Sequence, residues 1–346
     1  MALGSKWASL KWHCEVASNK IRDKFTRKRN TVAIFDPSIH TKNMGDEIIR
    51  YYGTRAIEQI FPSGDFMRIA TQVVPEDDAL RQVMRCKHRI VCGTNLMSPD
   101  YEGRPAWHMH RTLFGYSDIC TLGVGWTYYK ERITRLSQLM YTNALSKKLL
   151  HSVRDRYTEQ KFHQMGIHNV IFTGCVTLWE LTPEKCAKIP TKKADRVIAT
   201  ITDYDRDQEA DSRMLQILLE NYEKVYVWLQ GDEDLPYVSS IVDTDRIEFV
   251  ESSLEAFENI LNQGNIDYVG TRLHGGIFAM NHGVRSIILS IDCRAAEMGK
   301  DVNLVVVPRD RTGEKLEQLI KSEFETKLTI PWDNIEKWSR QFRKCV

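Results

Sequence analysis

The chain has 346 residues, long for one hydrophobic core and suited to two domains. Apolar residues make up 42% and charged residues 27%, and the net charge of +2 is too small to argue for nucleic acid as a partner. No apolar run approaches the length of a membrane span, and the start lacks the continuous apolar core of a secretory signal.

Residues 1–30 form a basic leader. Trp7, Leu10, Cys14, Ala17 and Ile21 recur at helical spacing among Lys6, Lys11, Lys20, Arg22, Lys24 and Arg27-Lys28-Arg29. One reading packs this series on the body of the protein. The other lays the helix on an anionic membrane surface, a peripheral contact that suits a basic amphipathic segment with tryptophans.

From Thr31 the chain alternates strand-like and helix-like segments. Thr31–Asp36, Arg89–Cys92, Ile119–Val124, Leu149–Val153 and Val170–Thr173 are short apolar runs, and Glu47–Ile60 has a helical pattern. A polar, lysine-rich stretch over 182–195, punctuated by Pro183 and Pro190, is the expected linker. The pattern then restarts with strands at Arg196–Ile201, Val225–Leu229, Ile247–Val250, Ile266–Val269, Arg285–Ile291 and Val302–Val307. Helices are expected at Asp211–Asn221 and Leu254–Leu261. Strands alternating with helices predict an α/β fold with parallel sheets. The expected domains are 31–181 and 196–325, with 326–346 as a helix crossing back.

Eight cysteines stand at Cys14, Cys86, Cys92, Cys120, Cys175, Cys186, Cys293 and Cys345, with no C-x-x-C pair. They read as incidental thiols of a reducing compartment, which makes the cytoplasm the default location. His108 and His110 have metal-ligand spacing but no obvious carboxylate partner, so no metal site is expected. There is no G-x-S-x-G, hence no support for serine hydrolysis.

The most informative stretch is Asp267-Tyr-Val-Gly-Thr-Arg-Leu-His-Gly-Gly276. It reads as a buried strand ending at Thr271, Arg272 and His274, then turning through a glycine pair into a helix. Arg272 and His274 are expected on one side of the strand end, with Leu273 opposite. The glycines at 275 and 276 would let backbone approach an anion at the helix start. The plain alternative is an Arg272–carboxylate pair with a capping histidine.

Three weaker constellations accompany it. Asn43-Met-Gly-Asp46 enters a helix, where Asn43 can cap and Asp46 suits the helix dipole; that alone leaves Gly45 unexplained. Ser152-Val-Arg-Asp155, with Thr158 one turn on, places the planar Arg154 guanidinium after a strand, either for an anionic group or for a surface pair with Asp155. Cys92-Gly-Thr-Asn95 and Gly123-Val-Gly-Trp126 are strand-end turns able to admit a ligand, and Trp126 can stack on a sugar or belong to the core.

The order Asn43-Met-Gly-Asp46, Ser152-Val-Arg-Asp155 with Thr158, Thr173-Gly-Cys175, Gly270-Thr-Arg-Leu-His-Gly275 and Asp292 resembles the polysaccharide pyruvyl transferase family. The resemblance covers roughly Thr31 to Val307. It implies two Rossmann-like domains facing a cleft, similar to the GT-B glycosyltransferases. It implies pyruvate transfer from phosphoenolpyruvate to two sugar hydroxyls, giving a cyclic ketal, in bacterial-type cell-surface polysaccharide synthesis. The partners are then phosphoenolpyruvate and a saccharide acceptor, soluble or lipid-linked, with no separate cofactor. His274, Asp46 and Arg154 form the expected catalytic set. Asn43, Gly45, Thr94, Asn95, Trp126, Arg272, Leu273 and Gly275 form the expected substrate-binding set. Three departures from the family pattern stand out: Cys175-Val176 in place of Asp-Pro, Arg285 in place of proline, and Asp203 where many relatives carry arginine. A nucleotide-sugar glycosyltransferase and a catalytically silent carbohydrate-binding protein are the competing readings.

Overall fold

The structure is a computed structural model that describes the backbone of residues 2–343 and the side chains of residues 9–292 and 294–343. The chain divides into two units. The first comprises Met1–Thr41, Gly53–Val176 and Pro331–Val346; the second comprises Lys42–Tyr52 and Thr177–Ile330. The switch at Val176 precedes the 182–195 stretch expected as a linker. That stretch instead carries helix α6 (Pro183–Cys186; helices are numbered along the whole chain) and buries Cys186 and Ile189.

In the first unit α1 (Ala2–Phe25) leads into β1 (Arg29–Asp36), and α2 (Met44–Ile60) begins in residues that belong to the second unit. There follow β2 (Asp65–Ala70), α3 (Asp77–Arg85), β3 (Cys86–Cys92), β4 (Cys120–Leu122), α4 (Arg135–Ala144), β5 (His151–Val153), α5 (Arg156–Gln164) and β6 (Val170–Phe172). The sheet order is β2-β1-β3-β4, all parallel. A parallel bridge between Val124 and Val153 carries the order on to the β5–β6 pair. The 2-1-3-4-5 order is a doubly wound one whose direction reverses between β1 and β3. Residues 32–35 and 90–92 read as continuous apolar runs, as parallel strands buried on both faces require. Strand β2 was not expected from the sequence: Asp65-Phe-Met-Arg-Ile-Ala70 is half-buried and interrupted by Arg68, whose guanidinium pairs with buried Asp36 at 2.6 Å.

Helix α1 packs on this unit, but not through the face its periodicity suggested. The inward residues are Trp12, Val16, Asn19 and Asp23. Trp12 Nε1 donates to the Arg111 carbonyl at 2.9 Å, and Asp23 pairs with buried Arg89 at 2.6 Å. Leu10, Cys14, Ala17 and Ile21 point outward, and the Trp7 side chain lies outside the described residues. The hydrogen bonds and the Asp23–Arg89 ion pair decide the orientation, which an apolar count cannot reveal. The last helix, α13 (Trp332–Arg343), also belongs to the first unit and buries Ile335, Trp338 and Phe342.

The second unit runs α6, β7 (Arg196–Thr200), α7 (Gln208–Asn221), β8 (Lys224–Trp228), α8 (Asp234–Ile241), β9 (Ile247–Val250), α9 (Leu254–Leu261), β10 (Ile266–Gly270), α10 (Leu273–Asn281), β11 (Ser286–Ser290), α11 (Cys293–Val302), β12 (Val306–Pro308) and α12 (Glu317–Lys321). The sheet order is β12-β11-β10-β7-β8-β9, parallel throughout. Counted from its own first strand this is 6-5-4-1-2-3, the Rossmann order, reversing between β7 and β10. The segment 302–305, expected as strand, instead ends α11 and turns through Asn303 in a left-handed conformation. Caps are placed by sequence: Asp207 accepts from the Ala210 N–H, Ser253 from Ala256 and Asp292 from Arg294. Among the described residues no helix is long and apolar enough to cross a membrane.

Candidate functional site

Ligands of open α/β sheets sit outside the carboxyl ends of the strands where the order reverses. In the second unit that place is defined by the ends of β7 and β10. They pair in register through Gly270 and Thr200, and continue into Thr202 and Thr271, whose hydroxyls meet at 2.9 Å. A Cβ on Gly270 would lie 2.3 Å from Thr200 Oγ1, so only glycine fits.

The strand ends at Gly270, earlier than the sequence suggested. Arg272 caps α10, and Leu273 and His274 are already helical. The two-residue alternation expected to set Leu273 opposite Arg272 and His274 therefore does not operate. All nine residues of α10 are buried. The glycine pair serves packing: a Cβ on Gly275 would lie 2.9 Å from Tyr268 Oη, and one on Gly276 2.7 Å from Ile288 Cγ1.

Arg272 is held from three sides. Its Nε donates to the Ile201 carbonyl at 3.0 Å, and its Nη2 pairs with Asp203 at 2.8 Å and Asp234 at 2.9 Å. The guanidinium also lies 5.0 Å from the centre of the Tyr204 ring. Burial pushes the Asp234 carboxyl up, against the pull of Arg272 and of the Gln230 N–H. Asp203, the departure from the family pattern, is thus a partner of Arg272. Arg272 enters any binding event with its charge already compensated.

His274 lies on the first turn of α10 and is 5% exposed. The ring faces the start of α2: a Cβ on Gly45 would stand 3.6 Å from His274 Nδ1 and 3.2 Å from Asn43 Oδ1. Asn43 Oδ1 accepts the Gly45 N–H at 3.0 Å, and the Asn43 carbonyl accepts the Asp46 N–H at 3.0 Å. The turn Asn43–Asp46 and the helix start at His274 therefore come together within one unit, although 228 residues of sequence separate Asp46 from His274. Asp46 is 7% exposed. A side chain at Gly45 would crowd Asn43 Oδ1 and lie in ordinary contact with the His274 ring.

Gln230 joins the site without a signal in the sequence. It follows β8 at 1% exposure, and neither its Oε1 nor its Nε2 has a hydrogen-bond partner among the described residues. Its Nε2 would stand 3.2 Å from a Cβ on Gly275. A buried amide with both ends open, next to the α10 start, can take a donor and an acceptor from a ligand. Nothing in the local sequence Leu229-Gln-Gly231 signals this, because burial of a glutamine is a tertiary fact.

In the first unit the remaining candidates interlock around Arg154, which is 1% exposed. Its N–H donates to the Val124 carbonyl at 3.0 Å. Its guanidinium bonds the Asn95 side chain and reaches Asp155 at 3.3 Å, and its buried Nη1 has no partner among the described residues. A Cβ on Gly125 would fall 2.2 Å from Arg154 Nε, and one on Gly93 would fall 2.0 Å from the Gly123 carbonyl oxygen. The two glycine turns therefore make room for this guanidinium and for each other. Asp155 caps α5 at Thr158 with a 2.6 Å bond, Thr158 Oγ1 accepts the Trp126 N–H at 3.0 Å, and Ser152 Oγ meets Thr173 Oγ1 at 2.6 Å. Thr94 takes the Gly125 N–H on its carbonyl at 2.9 Å. Trp126, expected to stack on a sugar, is a core residue at 1% exposure, packed among the apolar side chains of the first unit.

The other departures have structural partners. Arg285, fully buried, pairs with Asp267 at 2.8 Å and donates to the carbonyls of Leu319, Ile320 and Ser322. Cys175 and Val176 are buried where the chain leaves Gly174, at φ +74°. His110 bonds Thr112, and among the described residues no group of three or more His, Cys, Asp or Glu gathers as a metal site. Cys293, by its side chain, and Cys345 lie outside the described residues.

The solved structure of the UDP-GlcNAc 2-epimerase from Methanocaldococcus jannaschii, in complex with UDP-GlcNAc and UDP, matches 91% of this chain and 98% of its own, at a TM-score of 0.54 and 12% identity. At that identity the likeness shows the fold: mixed α/β with parallel sheets, of the GT-B kind. An O-GlcNAc transferase from Thermobaculum terrenum aligns with 92% of this chain and 63% of its own, at a TM-score of 0.48 and 10% identity, too loosely to build on. A search of curated proteins found no match. The sequence profile described as polysaccharide pyruvyl transferase matches residues 43–292, from Asn43 at the α2 turn to Asp292 at the α11 cap. That span is well over half of the chain, and it places the protein in the polysaccharide pyruvyl transferase family.

Proposed function

We propose that the protein transfers pyruvate from phosphoenolpyruvate to two hydroxyls of a saccharide, forming a cyclic ketal and inorganic phosphate. The observation that best supports this reading is the packing of His274 against the Gly45 turn. It brings the imidazole and the Asp46 segment together beside the reversal point of the second sheet.

The chemistry needs two protons delivered, one to the methylene carbon and one to the departing phosphate, and two removed from the sugar hydroxyls. Protonation of the methylene carbon leaves the neighbouring carbon electrophilic. One sugar hydroxyl attacks that carbon and loses its proton. The carbon–oxygen bond to phosphate then breaks, and the departing phosphate takes up one proton. The second hydroxyl closes the ketal and loses its own proton. His274 is assigned the acid, because an imidazole exchanges protons near neutrality, and Asp46 the base toward the acceptor. Exchange of these two roles is the alternative assignment. The family resemblance gives part of the donor's negative charge to Arg154, whose buried Nη1 has no hydrogen-bond partner among the described residues. Leu273 and Gly275 offer backbone N–H groups at the α10 start, and Gln230 an open amide. Arg272, compensated by Asp203 and Asp234, holds the strand end in place.

That compensation is the observation favouring a second reading, a glycosyltransferase with a nucleotide-sugar donor. Thermal melting separates the two. Phosphoenolpyruvate at about a hundred times its Kd would stabilise the fold by about 2.7 kcal/mol. A rise in Tm with phosphoenolpyruvate, and none with UDP- or CMP-sugars, is expected. The reverse pattern would replace the pyruvyl donor.

A further inference from the structure

The outer face of α1 has a composition that the pyruvyl reaction does not use. Leu10, Cys14, Ala17, Ile21 and Phe25 follow one another at steps of four, three, four and four residues, so they form one stripe along the helix. Leu10 is 56% exposed, Ile21 59% and Phe25 81%. The opposite face is fixed by the Trp12–Arg111, Asn19–Thr112 and Asp23–Arg89 contacts, so the stripe cannot roll inward without breaking them. Contiguous exposed apolar surface on an anchored helix marks an interaction face.

Charge identifies the partner. On the helical wheel Lys11 and Arg22 flank the stripe on one side, and Lys20 and Lys24 on the other. Beside the C-terminal end of α1 opens a cleft of about 470 Å³ that includes Lys20, Lys24, Lys28, Lys87, Lys147 and Lys148, and also Arg89, with Asp23 and Asp118 the only carboxylates lining it. Burial, and after it the nearby Lys147, hold the Lys20 ammonium below the ordinary lysine range, although Asp118 opposes this. The cleft is short of negative charge. A second copy docked stripe to stripe would bring these cations against one another. An anionic bilayer meets both features at once, because it offers an apolar interior beneath a layer of phosphates.

We propose that the outward stripe of α1 and the adjoining lysine cleft form a docking surface for an anionic phospholipid bilayer. The stripe enters the boundary between headgroups and acyl chains, and the cleft takes a lipid phosphate.

The test is co-sedimentation of the full chain with vesicles of phosphatidylcholine alone and of phosphatidylcholine mixed with phosphatidylglycerol. Binding is expected to the mixed vesicles and to fall with added salt. The Ile21→Glu/Phe25→Glu and Lys147→Glu/Lys148→Glu variants change exposed side chains, so circular dichroism and Tm should match the wild type. Each pair should weaken vesicle binding by about tenfold or more, the first by losing apolar insertion and the second by reversing charge at an anionic surface. Equal binding to both vesicle types, or binding to neither, would overturn the proposal. So would a concentration-dependent dimer that Ile21→Glu/Phe25→Glu abolishes, which would assign the stripe to a second copy.

Discussion

Gly45 carries no functional group, yet it lies in the turn between Asn43 and Asp46 that the His274 ring faces. A methyl at this position would stand 3.2 Å from Asn43 Oδ1 and 3.6 Å from His274 Nδ1, and the contact to Asn43 relaxes only if a neighbour shifts by a few tenths of an ångström. Alanine is otherwise favoured over glycine in a helix by about 0.5–1 kcal/mol. Gly45→Ala should therefore keep the wild-type Tm within a few degrees while lowering kcat/KM by about tenfold, since small misplacements of a reacting group are costly. Unchanged kcat/KM would separate Gly45 from the chemistry. At this scale the sequence was informative about residue type and silent about neighbours. The Asn43–Asp46 turn and His274 are recognisable as polar, glycine-flanked strand and helix ends. Their contact, the compensation of Arg272 by Asp203 and Asp234, the burial of Trp126 and the open amide of Gln230 all depend on packing between segments far apart in the chain.

Strands were the most legible elements. Runs of β-branched and apolar residues bounded by glycine or asparagine mark most strands of both sheets, because parallel strands covered on both faces need such runs. β2 escaped because Arg68 sits within it to pair with Asp36. The sequence left the orientation of α1 open, because its inward face mixes Trp12 and Val16 with polar Asn19 and Asp23. The element β5 makes a pH prediction. His151, fully buried, accepts the Thr121 N–H on Nδ1 at 3.3 Å and donates from Nε2 to the Ser146 carbonyl at 2.8 Å, which fixes the neutral form. Burial lowers its pKa from 6.5 to about 4, although the Ser146 bond opposes this. A histidine lowered in the folded state takes its proton first in the unfolded chain. Its contribution is therefore complete above 6.5 and is lost as pH falls toward about 4. Urea denaturation should show a loss of about 2 kcal/mol from this residue between pH 7 and pH 5. His151→Gln should flatten that decline without abolishing it, because burial also holds His88 at about 4, Lys87 adding to the effect. An unchanged slope would remove His151 as a source. At β11 the prediction concerns charge. Arg285→Met strands buried Asp267, whose carboxyl burial already raises against the pull of Arg285, and should cost about 3–5 kcal/mol by the same assay. Adding Asp267→Asn should recover part of the loss. A single variant as stable as the wild type would show that the pair is dispensable.

Over the whole molecule, the alternation of strands and helices predicted two parallel α/β sheets, and the strand orders 2-1-3-4-5 and 6-5-4-1-2-3 realise them. The transfer of residues 42–52 to the second unit was not legible, because the apolar face of a helix looks the same in sequence whichever core receives it. The switch at Val176 likewise carries no glycine or proline of its own. The transfer matters for function because it delivers Asn43, Gly45 and Asp46 to the unit that holds His274. The central claim is that His274 and the turn it meets serve pyruvyl transfer from phosphoenolpyruvate. Phosphate release from phosphoenolpyruvate in the presence of saccharide acceptors, measured for the wild type and His274→Ala, tests it most directly. Acceptor-dependent release by the wild type and a loss of about a hundredfold or more in the variant are expected. Turnover by His274→Ala near the wild-type rate would contradict it.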